Sequence, residues 1–323
     1  MRETAVVSVA PEVEPLRIAV QYGLGYAPLA VAHELGLFEK YTGAAVEWAQ
    51  YGSGGAIREA LIAGELDAGF MGIPPMIIGW DKGAPWKVAT GLCIVPLGLQ
   101  TNREDRPNLG AFEKGDKIAY PSPGSIQHIL LSMASEKELG DATALDDLGV
   151  AMKHPDGAAA LLADTGDITA HFTSPPYIFK ELEGDGIWQV VSGADAFGGD
   201  FTFIVGVTTV DFYEGRPQAH AGFVAAIAEA VAYINEHPQE AAAILAPTFK
   251  LDEATTLKYL TWPGVNYTTT PYGLMGFAPF MREAGYIEKV PESLSDIAWP
   301  NVVASVGQKR GEKSAVETLQ ERP

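Results

Sequence analysis

Cysteine is almost missing from this 323-residue sequence: Cys93 is the only one. No intramolecular disulfide and no multi-cysteine metal site can be built from it. It lies in the apolar, strand-like run VATGLCIVPLG, where a small buried residue is expected rather than a nucleophile. Positive charge is scarce as well. Lys and Arg total 22 against 41 Asp and Glu, a net charge of −19. That balance excludes nucleic acid as a partner, because phosphates require a basic face, and it disfavours an anionic membrane surface. No run of about 18 uninterrupted apolar residues occurs, so no transmembrane helix is expected. The longest candidate, HAGFVAAIAEAVAYI, is interrupted by Glu229 and reads as an amphipathic helix. The opening MRETAVVSVAPEVEPLRIAV lacks a basic segment followed by an apolar one, so no signal peptide is read there.

The common cofactor and catalytic motifs are missing too. Gly23-Leu24-Gly25 begins a dinucleotide fingerprint, but its third glycine position is Pro28. No G-x-x-x-x-G-K-[ST] and no G-x-S-x-G occurs, since Ser53 in YGSGG is flanked directly by glycines. The histidines (33, 128, 154, 171, 220 and 237) are scattered, and His33-Glu34 is followed by Leu-Gly, so no H-E-x-x-H zinc motif forms. Neither a metal nor a cofactor is expected.

What is present is a repeat. GELDAGFMGIPP (Gly64–Pro75) reappears as GDITAHFTSPP (Gly166–Pro176), and the match extends outward at an offset of 101 to 102. The strand-like LRIAV corresponds to KIAYP. The helical YAPLAVAHELGLFEKY corresponds to SIQHILLSMASEKELG, VEWAQY to LGVAMK, SGGAIREALIAG to PDGAAALLADTG, and WKVATG to WQVVSG. Seven elements in one order predict two similar lobes, each an alternating strand–helix unit around a mostly parallel sheet. FTFIVGVTTV (201–210) should return as a strand to the first lobe. Helices are expected near 215–236, 252–261 and 271–285. The predicted division is 16–105 with 203–306 as lobe one and 106–202 as lobe two, with polar tails at 1–15 and 307–323.

In open α/β sheets ligands sit beyond the carboxyl ends of strands, at helix N-termini. The turns there are YGLGYAP, YGSGG and MGIPP in lobe one, and PSPGS, KHPDG and TSPP in lobe two. They single out Gly25, Tyr26, Ser53, Gly54, Gly55, Ile73 and Pro74 on one side, and Ser122, Gly124, Ser125, His171, Ser174 and Pro175 on the other. Glycine lets a ligand approach the backbone, and serine offers a hydroxyl beside free N–H groups. Trp262 is a further candidate wall. Any one turn of this composition can be purely structural, and a buried, hydrogen-bonded His171 is the simpler expectation for that residue. Asp67 and Asp167 resemble a carboxylate pair, but solvated or capping roles suit them better. Lys153 is the only Lys or Arg in these turns, whereas aromatics abound, so the cleft should hold a small molecule by N–H donors, hydroxyls and ring faces.

The stretches GYAPLAVAHELGLFEKY, SGGAIREALIAGELDAGFMG, SPGS at 122–125 and MREAGYIEKVPESLSDIAW carry a resemblance over roughly 16–303. The chain resembles the solute-binding proteins of ABC importers, in the group for sulfonates, nitrate, taurine and thiamine precursors. The resemblance implies a two-lobed periplasmic-binding-protein fold of type II that closes on ligand. It also implies an extracytoplasmic or lipid-anchored location, a membrane permease as partner, and a monomer without enzymatic activity. By the same resemblance Tyr26, Ser53, the 73–74 turn, Ser125 and the 174–175 turn match binding positions. The expected ligand is a small organic molecule, sulfonate- or carboxylate-headed or aromatic. The alternative is an enzyme on the same fold acting on a pyrimidine or aromatic precursor. A fungal-type pyrimidine synthase of this fold uses histidine chemistry with a cysteine cluster, which a lone cysteine does not match. A regulator's effector domain is disfavoured because 15 leading residues leave no space for a helix-turn-helix.

Overall fold

The repeat becomes two sheets. The computed structural model describes residues 14–164, 166 and 168–308. Its strands are β1 (Leu16–Val20), β2 (Val46–Gln50), β3 (Ala68–Gly72), β4 (Trp86–Ile94), β5 (Gly98–Thr101), β6 (Ile118–Tyr120), β7 (Gly149–Ala151), β8 (Ala170–Thr173), β9 (Trp188–Ser192), β10 (Ile204–Thr209) and β11 (Asn266–Tyr267). The first sheet runs β11-β4-β10-β3-β1-β2 and the second β7-β6-β8-β5-β9. β1 pairs in parallel with β2 and β3, as β6 does with β7 and β8. The register repeats too: Ala19 stands opposite Gly69 in one lobe and Ala119 opposite His171 in the other.

Each sheet is completed by an antiparallel strand placed alike in both. β10 lies between β3 and β4, and β5 between β8 and β9. Trp86 faces Thr209 across one ladder, and Trp188 faces Thr101 across the other. The chain thus leaves the first sheet after β4, contributes β5 to the second, builds β6–β9 there, and returns through β10. The return strand is the one expected from FTFIVGVTTV. The division read after residue 105, however, leaves β5 with the first lobe, while its hydrogen bonds put it in the second.

Local chemistry explains the elements. β3, AGFMG, is buried at every residue, because helices cover both of its faces. Ser53 and Ser125 accept the backbone N–H of Ala56 and His128, capping the helices Gly54–Ile62 and Ile126–Leu139. The expected helix 26–41 is two helices, Ala27–Glu34 and Leu37–Thr42, because Gly36 turns left-handed at φ 60°. Likewise only Phe277–Glu283 of the expected 271–285 is helical, after a turn through Gly273 at φ 71°. The long helix Pro217–Glu236 packs Phe223 against Phe38 and Phe70, with ring centroids 5.6 and 5.9 Å apart. No described helix is long and apolar enough to cross a membrane. Residues 1–13 and 309–323 of the expected tails, and Asp167, lie outside the described residues. The helix Pro300–Gln308 runs past the expected start of the second tail.

Asp67 is neither solvated nor a helix cap. Its carboxylate accepts the Arg17 backbone N–H at 2.9 Å and the Arg17 guanidinium at 3.0 Å, and it lies 2.9 Å from the Arg216 guanidinium. It ties β1, the entry to β3 and the start of the helix at 217 together. Burial pushes its carboxyl up, but the Arg17 hydrogen bonds and the Arg216 charge outweigh this, and the net shift is downward. A depressed carboxyl stabilises the fold above its unfolded value, and that contribution is lost as pH falls through the folded value. Asp67→Asn should therefore cost about 2 kcal/mol at pH 7, as expected for hydrogen bonds to a charged group. The difference from the parent should shrink toward pH 3 in urea melts. An equal difference at both pH values would refute the assignment.

Candidate functional site

The carboxyl ends of the parallel strands face one another between the lobes, and helix N-termini meet there. A small cavity of about 20 Å³ lies at this point. Gly54, Gly72 and Pro75 line it from the first lobe, Ser125, Ile126 and His154 from the second, and Phe203 from the return segment. These residues begin or cap four helices: Gly54–Ile62, Ile73–Asp81, Ile126–Leu139 and His154–Ala163. Each N-terminus carries roughly half a positive charge and unpaired N–H groups. No Lys or Arg lines the cavity. Its volume suits little more than one water, and the lobes touch beside it through the Leu24 N–H and the Pro175 carbonyl.

Gln21, Tyr22 and Tyr26 separate this cavity from a larger outer one of about 660 Å³. The outer cavity is walled by Trp48, His33, Tyr177 and Phe249, with Lys180 and Lys250 on its lining. That volume falls in the range of sites for small organic ligands. Both lysines come from outside the six Gly- and Ser-rich turns. The cation-poor cleft expected from those turns therefore describes only the inner part.

The structure distributes the sequence-derived site residues unevenly. Tyr26, Gly54 and Ser125 line the inner cavity. Ser53 caps its helix at the rim. Ser122 faces Gly55 across the cleft: a Cβ on Gly55 would stand 3.4 Å from the Ser122 Oγ. That Oγ is buried and has no hydrogen-bond partner among the described residues. Gly25 is needed for packing, since a Cβ there would come within 2.9 Å of the Phe203 ring. Gly124 takes φ 74° and donates its N–H to His128 Nδ1. Ile73 and Pro74 are buried behind the cavity, whose wall is Pro75 instead. The Pro175 carbonyl accepts the Leu24 N–H at 2.9 Å, a backbone bond between lobes, and Pro176 lines the outer cavity. Ser174 is fully buried with an unpartnered Oγ. Trp262 is not a wall of either cavity. It stacks on Phe179 with centroids 4.3 Å apart, beside Lys258 and Tyr259 bonded to Glu183, and so fastens the lobes together. Cys93 is buried, with its thiol pushed up by burial and donating toward the Gly25 carbonyl.

A model of the NMT1-like family matches residues 9–248. This chain belongs to the NMT1-like family. Among curated relatives it is similar to the taurine-binding periplasmic protein of Escherichia coli, with 27% identity over 68% of this chain and 67% of the relative. It is also similar to the putative aliphatic sulfonates-binding protein of the same organism, with 25% identity over 76% and 75%. Among solved structures, the alkanesulfonate-binding protein SsuA of Xanthomonas axonopodis, bound to MOPS, superposes with a TM-score of 0.71 at 19% identity. That match covers 90% of this chain and 99% of the other. The nitrate-binding protein NrtA of Synechocystis gives 0.71 at 17%, covering 94% and 90%. At these identities the structures speak for the two-lobed fold.

In this NMT1-like chain a buried polar row that the sequence reading missed runs into the inner cavity. Glu181 Oε1 lies 2.6 Å from His171 Nδ1, His171 Nε2 lies 3.1 Å from His154 Nδ1, and His154 Nε2 lies 3.1 Å from the Gln127 amide. Glu181 and His171 are fully buried, so His171 stands behind the cleft, whereas His154 and Gln127 line it. Burial pushes Glu181 up to about 9 and His171 down to about 3, and it holds His154 well below its ordinary value. Burial thus favours the neutral form of all three side chains. The one sequence signal was the KHPDG turn, whose histidine opens a helix. Among the described residues no group of three or more His, Cys, Asp or Glu is placed to hold a metal.

The turns single out Ser125 as a ligand contact. The structure shows its oxygen accepting the His128 N–H at 3.3 Å as an N-cap. Ser125→Ala should therefore also lower the stability of the empty protein by about 1 kcal/mol, and Ser125→Gly by only a few tenths. Urea melts of both variants check this, and an Ala variant as stable as the parent would sink the capping role.

Proposed function

We propose that this chain is the extracytoplasmic solute-binding component of an ABC importer, a monomeric binding protein that works with a membrane permease. Its solute is a small organic oxyanion. The observation that carries this reading is the junction of the two cavities. Four helix N-termini without a cation form a site for an oxyanion head, and the aromatic outer cavity accommodates an organic body. A head larger than a water holds the lobes slightly further apart than this structure has them. A solute touching both lobes stabilises closure over opening, as transport recognition requires. The names of the curated relatives, for taurine and aliphatic sulfonates, favour a sulfonate head. Lys180 and Lys250 add a place for negative charge at the far end of the body.

A thermal-shift panel tests this reading: nitrate, sulfate and bicarbonate against methanesulfonate, taurine, benzenesulfonate, benzoate and pyrimidines. An organic oxyanion at a hundredfold excess over its dissociation constant should stabilise by about 2.7 kcal/mol. A shift from inorganic anions alone would exclude the organic body, and consumption of a pyrimidine would favour the enzyme. Ser122→Ala should leave the melting of the empty protein unchanged or raise it, because it removes an unpartnered hydroxyl. It should also weaken the oxyanion by about 0.5–1.5 kcal/mol. Equal affinity in parent and variant would remove Ser122 from the site.

A further inference from the structure

We propose that Glu181, His171 and His154 form one proton-carrying row that sets whether the cleft meets a hydrogen-bond donor or a lone pair. Binding of an anion thereby fixes a proton at Glu181, out of reach of the solute. The proposal rests on the reading of the solute as an oxyanion. Glu181 and His171 are positioning residues in this scheme, and His154 is the group that lines the cleft.

Two arrangements satisfy every bond of the row. In the first, Glu181 is protonated and donates to His171 Nδ1, His171 Nε2–H donates to His154 Nδ1, and His154 Nε2–H points to the cleft and to Gln127. In the second, every bond is reversed: His154 Nδ1–H donates to His171 Nε2, His171 Nδ1–H donates to the Glu181 carboxylate, and His154 Nε2 offers a lone pair. The first holds three protons and is neutral; the second holds two and carries one negative charge. The conversion is balanced. A proton arrives on His154 Nε2, the proton of His154 Nδ1 passes to His171 Nε2, and the proton of His171 Nδ1 passes to Glu181. Gln127 serves either state, since its amide offers an oxygen or an N–H after half a turn. The Thr173 hydroxyl, 3.2 Å from His154 Nδ1, can also donate or accept.

An oxyanion in the inner cavity accepts a hydrogen bond from the first arrangement and is repelled by the second. Burial favours the first as well, because the carboxyl at about 9 keeps its proton at neutral pH. Among the described residues His171 is the only ion-pair partner of Glu181. The surrounding groups are few. Tyr177 stacks on His154 at 5.8 Å and is pushed up to about 12. Lys153 precedes the helix that begins at His154 as its N-cap residue, and Asp156 stands in its first turn. Lys180 neighbours Glu181 and lines the outer cavity. The helix Glu253–Leu260 brings Lys258, which is paired with Glu183. β5 and β9 bring the neutral amides of Gln100 and Gln189, bonded to each other. His128, in the neighbouring helix, bonds Asp146 instead.

Two measurements test the row. The first needs no ligand: the nitrogen shifts of labelled histidine in the empty protein are followed from pH 6 to 10.5. His154 and His171 should pass together from Nε2–H to Nδ1–H in one step near pH 9. Glu181→Gln, whose amide cannot gain or lose the proton that drives the change, should remove that step. A row in which either imidazole keeps its tautomer throughout is overturned, and the parent protein alone decides this if the variant fails to fold. The second is titration calorimetry with benzenesulfonate and taurine in buffers of different ionisation enthalpy. Affinity should be flat below pH 8 and fall about tenfold per unit above pH 9, with proton uptake rising toward one per ligand. Glu181→Gln should bind within about threefold of the parent at pH 7 and show neither the fall nor the uptake. Binding with no uptake and no pH slope overturns the proposal and leaves the proposed function standing. If neither probe binds, the proposed function is at fault, and the tautomers judge the row.

Discussion

The exchange of β5 and β10 is the constraint on which the rest depends. Each sheet has its antiparallel strand from the chain that has just left the other. The backbone therefore crosses between lobes twice, next to β4 and next to β9, and both crossings lie behind the cleft. With the crossings held there, the parallel strands of both lobes aim their carboxyl ends at one another. Pro175 O and Leu24 N, 2.9 Å apart, and the Trp262–Phe179 stack then fasten the closed form.

From that arrangement comes a meeting of four helix N-termini in a protein of net charge −19, the place proposed above for an oxyanion head. They supply fixed partial charge without a lysine or arginine on the cavity lining, so the polarity there is pre-oriented. That polarity is local, and the acidic surface outside does not supply it. The buried row behind His154 extends the same logic one layer deeper, since neutral groups in a water-free interior are polarised by a single proton.

The paired lobes, the capping serines and the inner cleft were legible in the sequence because they are local. Glycine and serine at strand ends, prolines in first turns and a near-constant offset all sit within short windows. The exchanged strand β5 was not legible: at four residues, GLQT shows no periodicity, and only its ladders assign it to a lobe. Trp262 was misplaced because an aromatic side chain near a cleft reads alike whether it faces ligand or fastens two lobes. The Glu181–His171–His154 row was invisible because its members come from three elements and share no spacing. His171 did carry a hint, as it occupies the place that Gly69 holds in the first lobe. A Cβ on Gly69 would come within 2.6 Å of Ile57, whereas the second lobe has Gly157 opposite and so leaves room for an imidazole. In the aligned helices Gly157 matches Gly55, and Ala159 stands where the first lobe has Ile57, so the strand gained bulk where the helix lost it.

The inner cavity of about 20 Å³ has a consequence for what the closed shape can report. There the lobes leave space for little more than one water. On the proposed function, a solute with a bulkier head would act as a wedge, and the angle at which the lobes come to rest would gauge its girth. A permease of the kind proposed above would then read the solute's size from the shape of its carrier alone, without touching the solute.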